Sequence, residues 1–252
     1  MNFVWAVFKR EVRSYFVSPL AYAAMAVFLM ILGVLFLAAL NAYNQQRMMA
    51  LRTLAKVTPP EMLITSLLGD DAVWALLIIV PLLTMRLLAE ERRQHTAELL
   101  LTAPMTTRHI VWGKFFGSVF MLLCMLAMTL WMPLMLVRLG DADPSRIWSG
   151  YVGTLLYGAL LLALGLLASS LTESPFLAAL LALLLTAIAS VAGGLAELVP
   201  VVGSELRQFT PGENLSTFAS GVIETQAVVF FVTVTAFLLE ITAGVVDSQR
   251  WR

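Results

Sequence analysis

Charge is scarce in this sequence. Only 13% of its 252 residues are Asp, Glu, Lys or Arg, against roughly 25% in ordinary soluble domains. Hydrophobic side chains make up 60%. A soluble fold of this size could not cover its surface with so few charges, whereas lipid imposes no such demand. The formal net charge is zero, so no global basic field recruits nucleic acid. Cysteine is limited to Cys124, and histidine to His95 and His109. One thiol excludes an internal disulfide and a cysteine-based metal site, and two histidines argue against a zinc centre.

Motifs for chemistry are missing too. Gly113-Lys114 is followed by Phe115, and Arg108 stands where a Walker A motif needs its upstream glycine. No HExxH, GxSxG or CxxC is present. The sequence therefore offers no catalytic residue and no metal ligand set, and chemistry that drives the protein must come from another chain.

What the chain has in abundance is apolar runs. Six segments are long enough for membrane helices: 20–40, 73–88, 111–137, 150–171, 175–198 and 227–246. Backbone groups in lipid must satisfy each other, and the alternation of a barrel strand is absent, so the expected class is all-α integral membrane. Lys9, Arg10 and Arg13 precede the first run, which is long for a signal peptide and reads as a retained first span. With the N-terminus in the cytoplasm, ten of the 16 Lys and Arg residues fall on that side, which places both termini there.

Three segments outside the spans carry more information. Residues 1–18 repeat apolar side chains at helical spacing, with Phe8 beside Lys9, Arg10 and Arg13, and Ser18-Pro19 interrupts the helix. This reads as an amphipathic helix in the membrane interface. Residues 90–104 run from Glu90, Glu91, Arg92 and Arg93 through His95, Thr96 and Glu98 into Leu99, Leu100 and Leu101, and stop at Pro104. Three leucines in open water would be costly, so they should dock on the membrane, the same chain or a partner. Residues 193–226, which include Gly221, are apolar yet broken by Gly193, Gly194, Pro200, Gly203, Pro211 and Gly212. Short helices that enter the outer leaflet and return would reconcile these facts.

Between the first two spans, Met48, Leu51, Leu54 and Ala55 suggest a separate short helix, and Asp70 or Asp71 could cap the second span. Two intramembrane charges stand out. Arg86 lies about a turn from the end of span two and can snorkel. Glu240 lies about two turns from the end of span six, where it needs a hydrogen bond or ion pair, or serves as a proton site. Spans four and five are rich in Gly and Ala, which permits close helix packing or an oligomer contact.

Several stretches together resemble the membrane subunit of type-two ABC exporters, and more narrowly its gliding-motility-associated permease branch. They are Phe8-Lys9-Arg10-Glu11 with Ser18-Pro19, the stretch 86–93, the stretch 96–104, Gly113-Lys114, residues 215–224 and Arg250-Trp251. The likeness covers nearly the whole chain, with one departure: His95 stands where such proteins usually carry glycine. The resemblance implies that 1–18 is a connecting elbow helix and 92–102 a coupling helix seated in a separate ABC ATPase subunit. It implies that 193–226 forms re-entrant half-helices over the pathway. It further implies ATP and Mg bound by the ATPase, a second permease copy in a homodimer, an accessory membrane protein, and a bacterial inner-membrane location. The expected function is ATP-driven export. The alternatives are a membrane scaffold doing mechanical work, and a secondary transporter that needs no ATPase.

Overall fold

The computed structural model describes residues 3–53, 61–93, 106–139, 143–196 and 210–248. All regular structure among them is α-helical. Six helical stretches are long and apolar enough to cross a membrane. This is a multi-pass membrane protein with the all-α class expected from its apolar runs.

Helix α1 (Phe3–Val17) ends at Ser18, and α2 (Pro19–Thr53) forms span one. At 35 residues, α2 is about 50 Å long, well beyond the ~30 Å hydrocarbon core. The separate helix expected near residue 48 is therefore the continuation of span one. No glycine or proline lies between Gly33 and Pro59 to stop it.

Span two is built in pieces: α3 (Glu61–Leu68), α4 (Asp70–Thr84) and α5 (Ala89–Arg93). Gly69 is the joint between the first two. Its N–H donates to the Thr65 carbonyl at 2.9 Å, and a Cβ there would stand 2.6 Å from that oxygen. Gly69, rather than Asp70 or Asp71, occupies the cap position. The incoming helix α3 reaches Leu68, so both carboxylates fall in the first turn of α4, where the helix dipole favours them. Ser66 also donates to Asp71 at 3.2 Å.

Span three comprises α6 (Thr107–Thr129) and α7 (Trp131–Leu139). Pro133 has no N–H for the Thr129 carbonyl, and the helix breaks at Leu130. Span four is α8 (Pro144–Leu171), capped by Asp143. The Asp143 carboxylate accepts from the Ser145 hydroxyl at 2.7 Å and the Ser145 N–H at 2.9 Å. These bonds hold its carboxyl below the usual range. Span five is α9 (Pro175–Ala196), which continues through Gly193 and Gly194 rather than breaking there. A short helix, α10 (Pro211–Ala219), precedes span six, α11 (Thr225–Ser248). The chain leaves α10 through Gly221 at φ +100°, a left-handed conformation that glycine adopts without penalty.

Span four is the hub. About 67% of its apolar window is buried, against 17% for span five, 22% for span one and 28% for span six. Apolar contact between helices gains little over contact with lipid, so helices in a bilayer are held by close fit and hydrogen bonds. Both are concentrated on α8. Gly150 accommodates Leu68, Gly153 accommodates Phe218, Gly158 accommodates Leu122 and Gly165 accommodates Thr84. Four α8 hydroxyls each reach a different neighbour. Ser149 donates to the Phe218 carbonyl of α10 at 2.7 Å, and Thr154 to the Leu68 carbonyl of α3 at 2.9 Å. Tyr151 pairs with Thr129 of α6, and Tyr157 with Ser190 of α9, both at 2.9 Å.

One substitution made at two places tests this reading. Gly165→Ala puts a methyl onto the Thr84 side chain and should destabilise by about 1–3 kcal/mol, the usual range for overpacking. Gly244→Ala in α11 meets nothing within 4 Å and should be neutral or stabilise by up to about 1 kcal/mol. Thermal unfolding midpoints of the two variants in detergent should move in opposite directions, or at least differ clearly.

Candidate functional site

The charged residues gather where α1, the end of span two and the start of span three meet. The meeting begins with two glycines on α6. A Cβ at Gly113 would lie 2.6 Å from Val7, and one at Gly117 would lie 2.9 Å from the Glu11 side chain. With only hydrogens there, α1 lies flat along α6, its most extensive packing partner. Phe8 joins the seam, edge-on to Phe120 at 5.9 Å and stacked on Trp5 at 5.0 Å.

Lys114 sits between the two glycines with its side chain 1% exposed. Its ammonium donates to Glu91 Oε1 at 2.9 Å and Glu11 Oε1 at 3.3 Å. Arg10 donates to the same Glu91 oxygen at 2.7 Å and stands 3.9 Å from Glu11. Two cations and two carboxylates thus join three helices in one alternating cluster. Tyr15 adds a neutral tie: burial pushes its phenol well above the usual range, so it stays protonated and donates to the Leu83 carbonyl at 3.4 Å.

Residues 85–88, between α4 and α5, leave backbone groups that no helix satisfies. Ser169 of α8 answers them. Its hydroxyl oxygen accepts from the Leu88 and Ala89 N–H groups, each at 3.1 Å, and it approaches the Met85 carbonyl at 3.5 Å. The hub helix therefore fixes where α5 starts, and the charge cluster fixes which way Glu91 points. Beside them, Arg108 and Glu240 form an ion pair at 2.9 Å, both substantially exposed, and Thr107 donates to Asp247 at 3.1 Å. These two contacts tie the start of span three to the end of span six.

The residues singled out in the sequence divide as follows. Glu90, Glu91, Arg92 and Arg93 lie on α5 or immediately at its end. His95, Thr96, Glu98, Leu99, Leu100, Leu101 and Pro104 lie outside the described residues. Arg10 is in the cluster, Phe8 is in the seam, and Lys9 and Arg13 are exposed on α1. Arg92 keeps a buried Nη2 without a hydrogen-bond partner among the described residues. Arg86 is exposed, and Glu240 has the ion pair that its position calls for. Gly193 and Gly194 are within α9, Pro211 opens α10, and Gly221 follows it.

Sequence reading named Glu11 and Lys114 only within stretches that carry the resemblance and gave them no role, and it passed over Ser169. Lys114 did carry a signal: a lysine inside an apolar run, with glycines one residue before and three after, on a face shaped for another helix. Ser169 carried none, because a serine in a span is ordinarily bonded to its own helix.

A family model described as ABC-2 family transporter protein matches residues 72–239, well over half of the chain. No curated protein matches it. The matched region contains Glu91, Lys114 and Ser169, while Arg10 and Glu11 precede it.

Removing the central cation should be costly. Lys114→Met leaves the two partly buried carboxylates with the half-exposed Arg10 between them and should destabilise by up to about 3–5 kcal/mol. Adding Glu11→Gln should restore part of that loss, which thermal unfolding in detergent can measure. Ser169→Ala leaves the Leu88 and Ala89 N–H groups without their acceptor and should cost about 1–3 kcal/mol. Faster amide exchange at those two positions than elsewhere in span two would be its signature.

Proposed function

The chain belongs to the ABC-2 transporter family, and on that premise we propose that it couples ATP hydrolysis in a partner subunit to the outward movement of a substrate. Membership makes it the permease component of an ABC transporter, not the ATPase, and implies an ABC ATPase subunit as partner. The finer reading concerns how the two are linked.

The observation that carries it is Glu91. It lies two residues before the end of α5, directly ahead of the segment read as the coupling helix. It is also bonded to Lys114 of span three and Arg10 of α1. A push delivered at 92–102 would thus reach span three and α1 through charge-assisted bonds, the stronger class of hydrogen bond. Arg93 and Glu98 would meet the ATPase through polar contacts, and Leu99, Leu100 and Leu101 through packing. ATP and Mg would be held by the ATPase.

Two copies of the chain would enclose the pathway, chiefly along spans two and five. Trp74 and Ile78 of span two are exposed, as are Phe176, Leu180, Leu184 and Ile188 of span five, so both spans offer apolar faces to lipid or to a second copy. This lining suits lipidic or amphipathic cargo, and no ring of charge suggests an ion pore. We place both termini in the cytoplasm, on the distribution of Lys and Arg, and the chain in a bacterial inner membrane, on its resemblance to type-two ABC exporters. The gliding-motility-associated branch is the narrower placement, resting on the stretches 86–93 and 96–104.

Arg93→Ala and Glu98→Ala test the coupling role. Both should reduce the ATPase recovered with the tagged permease, or uncouple its ATP turnover from the permease. Unchanged association together with unchanged turnover would exclude the role. Direction is read separately, from ATP-dependent uptake into inside-out vesicles.

A further inference from the structure

A cavity of about 370 Å³ opens beside the charge cluster, between α1, the start of span one and the end of span two. Its wall is of two kinds. Leu20, Ala21, Ala24, Leu82, Leu83 and Leu87 form an apolar side. Arg10, Arg86, Lys114, Glu11, Glu90 and Glu91 supply three positive and three negative charges, and Ser14 and Ser18 add hydroxyls. Arg10, Lys114, Glu11 and Glu91 are bonded to one another. Arg86 stands outside those ion pairs, four residues before Glu90 and opposite to it in charge.

The depth of the cavity is set by the helices around it. Ser18 marks the entry of span one, and Arg86 lies just past the end of α4, in the break before α5, so the polar side falls at headgroup level. The apolar side runs inward along both spans, at acyl-chain level. The small side chains of Ala21 and Ala24 line this inward part of the cavity. Among the described residues Arg86 has no ion-pair partner, and neither the Ser14 nor the Ser18 hydroxyl has a hydrogen-bond partner. Arginine's planar fork suits a phosphate, with the hydroxyls as further donors. The Glu90 carboxylate on the same wall suits an ammonium group. Equal numbers of opposite charges favour a zwitterion over an anion.

We propose that this cavity binds one phospholipid with a phosphate and a primary ammonium in its headgroup, the phosphate on Arg86 with Ser14 and Ser18, the ammonium on Glu90. The acyl chain lies along Leu82 and Ala24. The site is distinct from the pathway between permease copies, and its occupancy does not require the proposed coupling to be correct.

Native mass spectrometry of the delipidated full-length protein in detergent can test this. The probes are phosphatidylethanolamine, phosphatidylglycerol, phosphatidylcholine and inorganic phosphate. The wild type should prefer phosphatidylethanolamine. Arg86→Gln should weaken both phosphatidylethanolamine and phosphatidylglycerol, by about tenfold if one charge-assisted bond is lost. Glu90→Gln should weaken phosphatidylethanolamine alone and turn the preference toward phosphatidylglycerol. That inversion distinguishes the site from general loss of folding, which would weaken every lipid alike. Equal binding of all three lipids, insensitivity to Arg86→Gln, or binding of inorganic phosphate without lipid would each overturn the proposal.

Discussion

Within a bilayer the backbone must bond to itself, and apolar side chains find lipid as agreeable as one another. The helix bundle is organised around that constraint. Because hydrophobic burial contributes little between spans, the specific arrangement rests on shape and on hydroxyls. Both are collected on span four. Gly150, Gly153, Gly158 and Gly165 let neighbours approach, while Ser149, Tyr151, Thr154 and Tyr157 each bond to a different helix. The outer spans need no such equipment on their free faces, and they carry Phe176, Leu184, Val229 and Phe237 there instead.

The N-terminal side of the bundle works under a different rule. Water and headgroups come close there, and charge becomes affordable if it is paired. Lys114 shows how far the pairing goes: its ammonium is withdrawn from solvent only because Glu11 and Glu91 both accept from it. The same glycine chemistry serves this end. Gly113 and Gly117 bring α1 close enough for Glu11 to reach across. Close packing thus comes first, and electrostatics follows from the proximity that packing creates.

Much of this was legible in the sequence, and what was not has a physical reason. The six apolar runs revealed the spans because length and composition are local properties. The break at Ser18-Pro19 was visible because proline restricts the residue before it. Glu240 was legible as a group in need of a partner, but the partner, Arg108, lies 132 residues away on another span. Ser169 was silent because its service to Leu88 and Ala89 depends on how spans two and four cross. The length of span one was misjudged for a different reason: residues 41–47 are polar enough to suggest that the span ends at Leu40 and that a new helix begins near Met48. A helix, however, stops at a breaker or a cap, and polarity alone provides neither.

The two regimes constrain how the permease could respond to its ATPase. A close-packed interior shifts between discrete arrangements rather than deforming smoothly, and the glycine contacts of span four leave little slack. A displacement of α5 therefore cannot be absorbed around Thr84 and Gly165. Nor can α5 move freely alone, since Ser169 holds its first turn and Lys114 holds Glu91. The displacement would have to travel as a rigid movement of the end of span two, carrying the start of span three and α1 with it. Spans five and one, least enclosed by their neighbours, are then the ones free to yield. Under the proposed coupling, the charge cluster would make three helices answer to one contact.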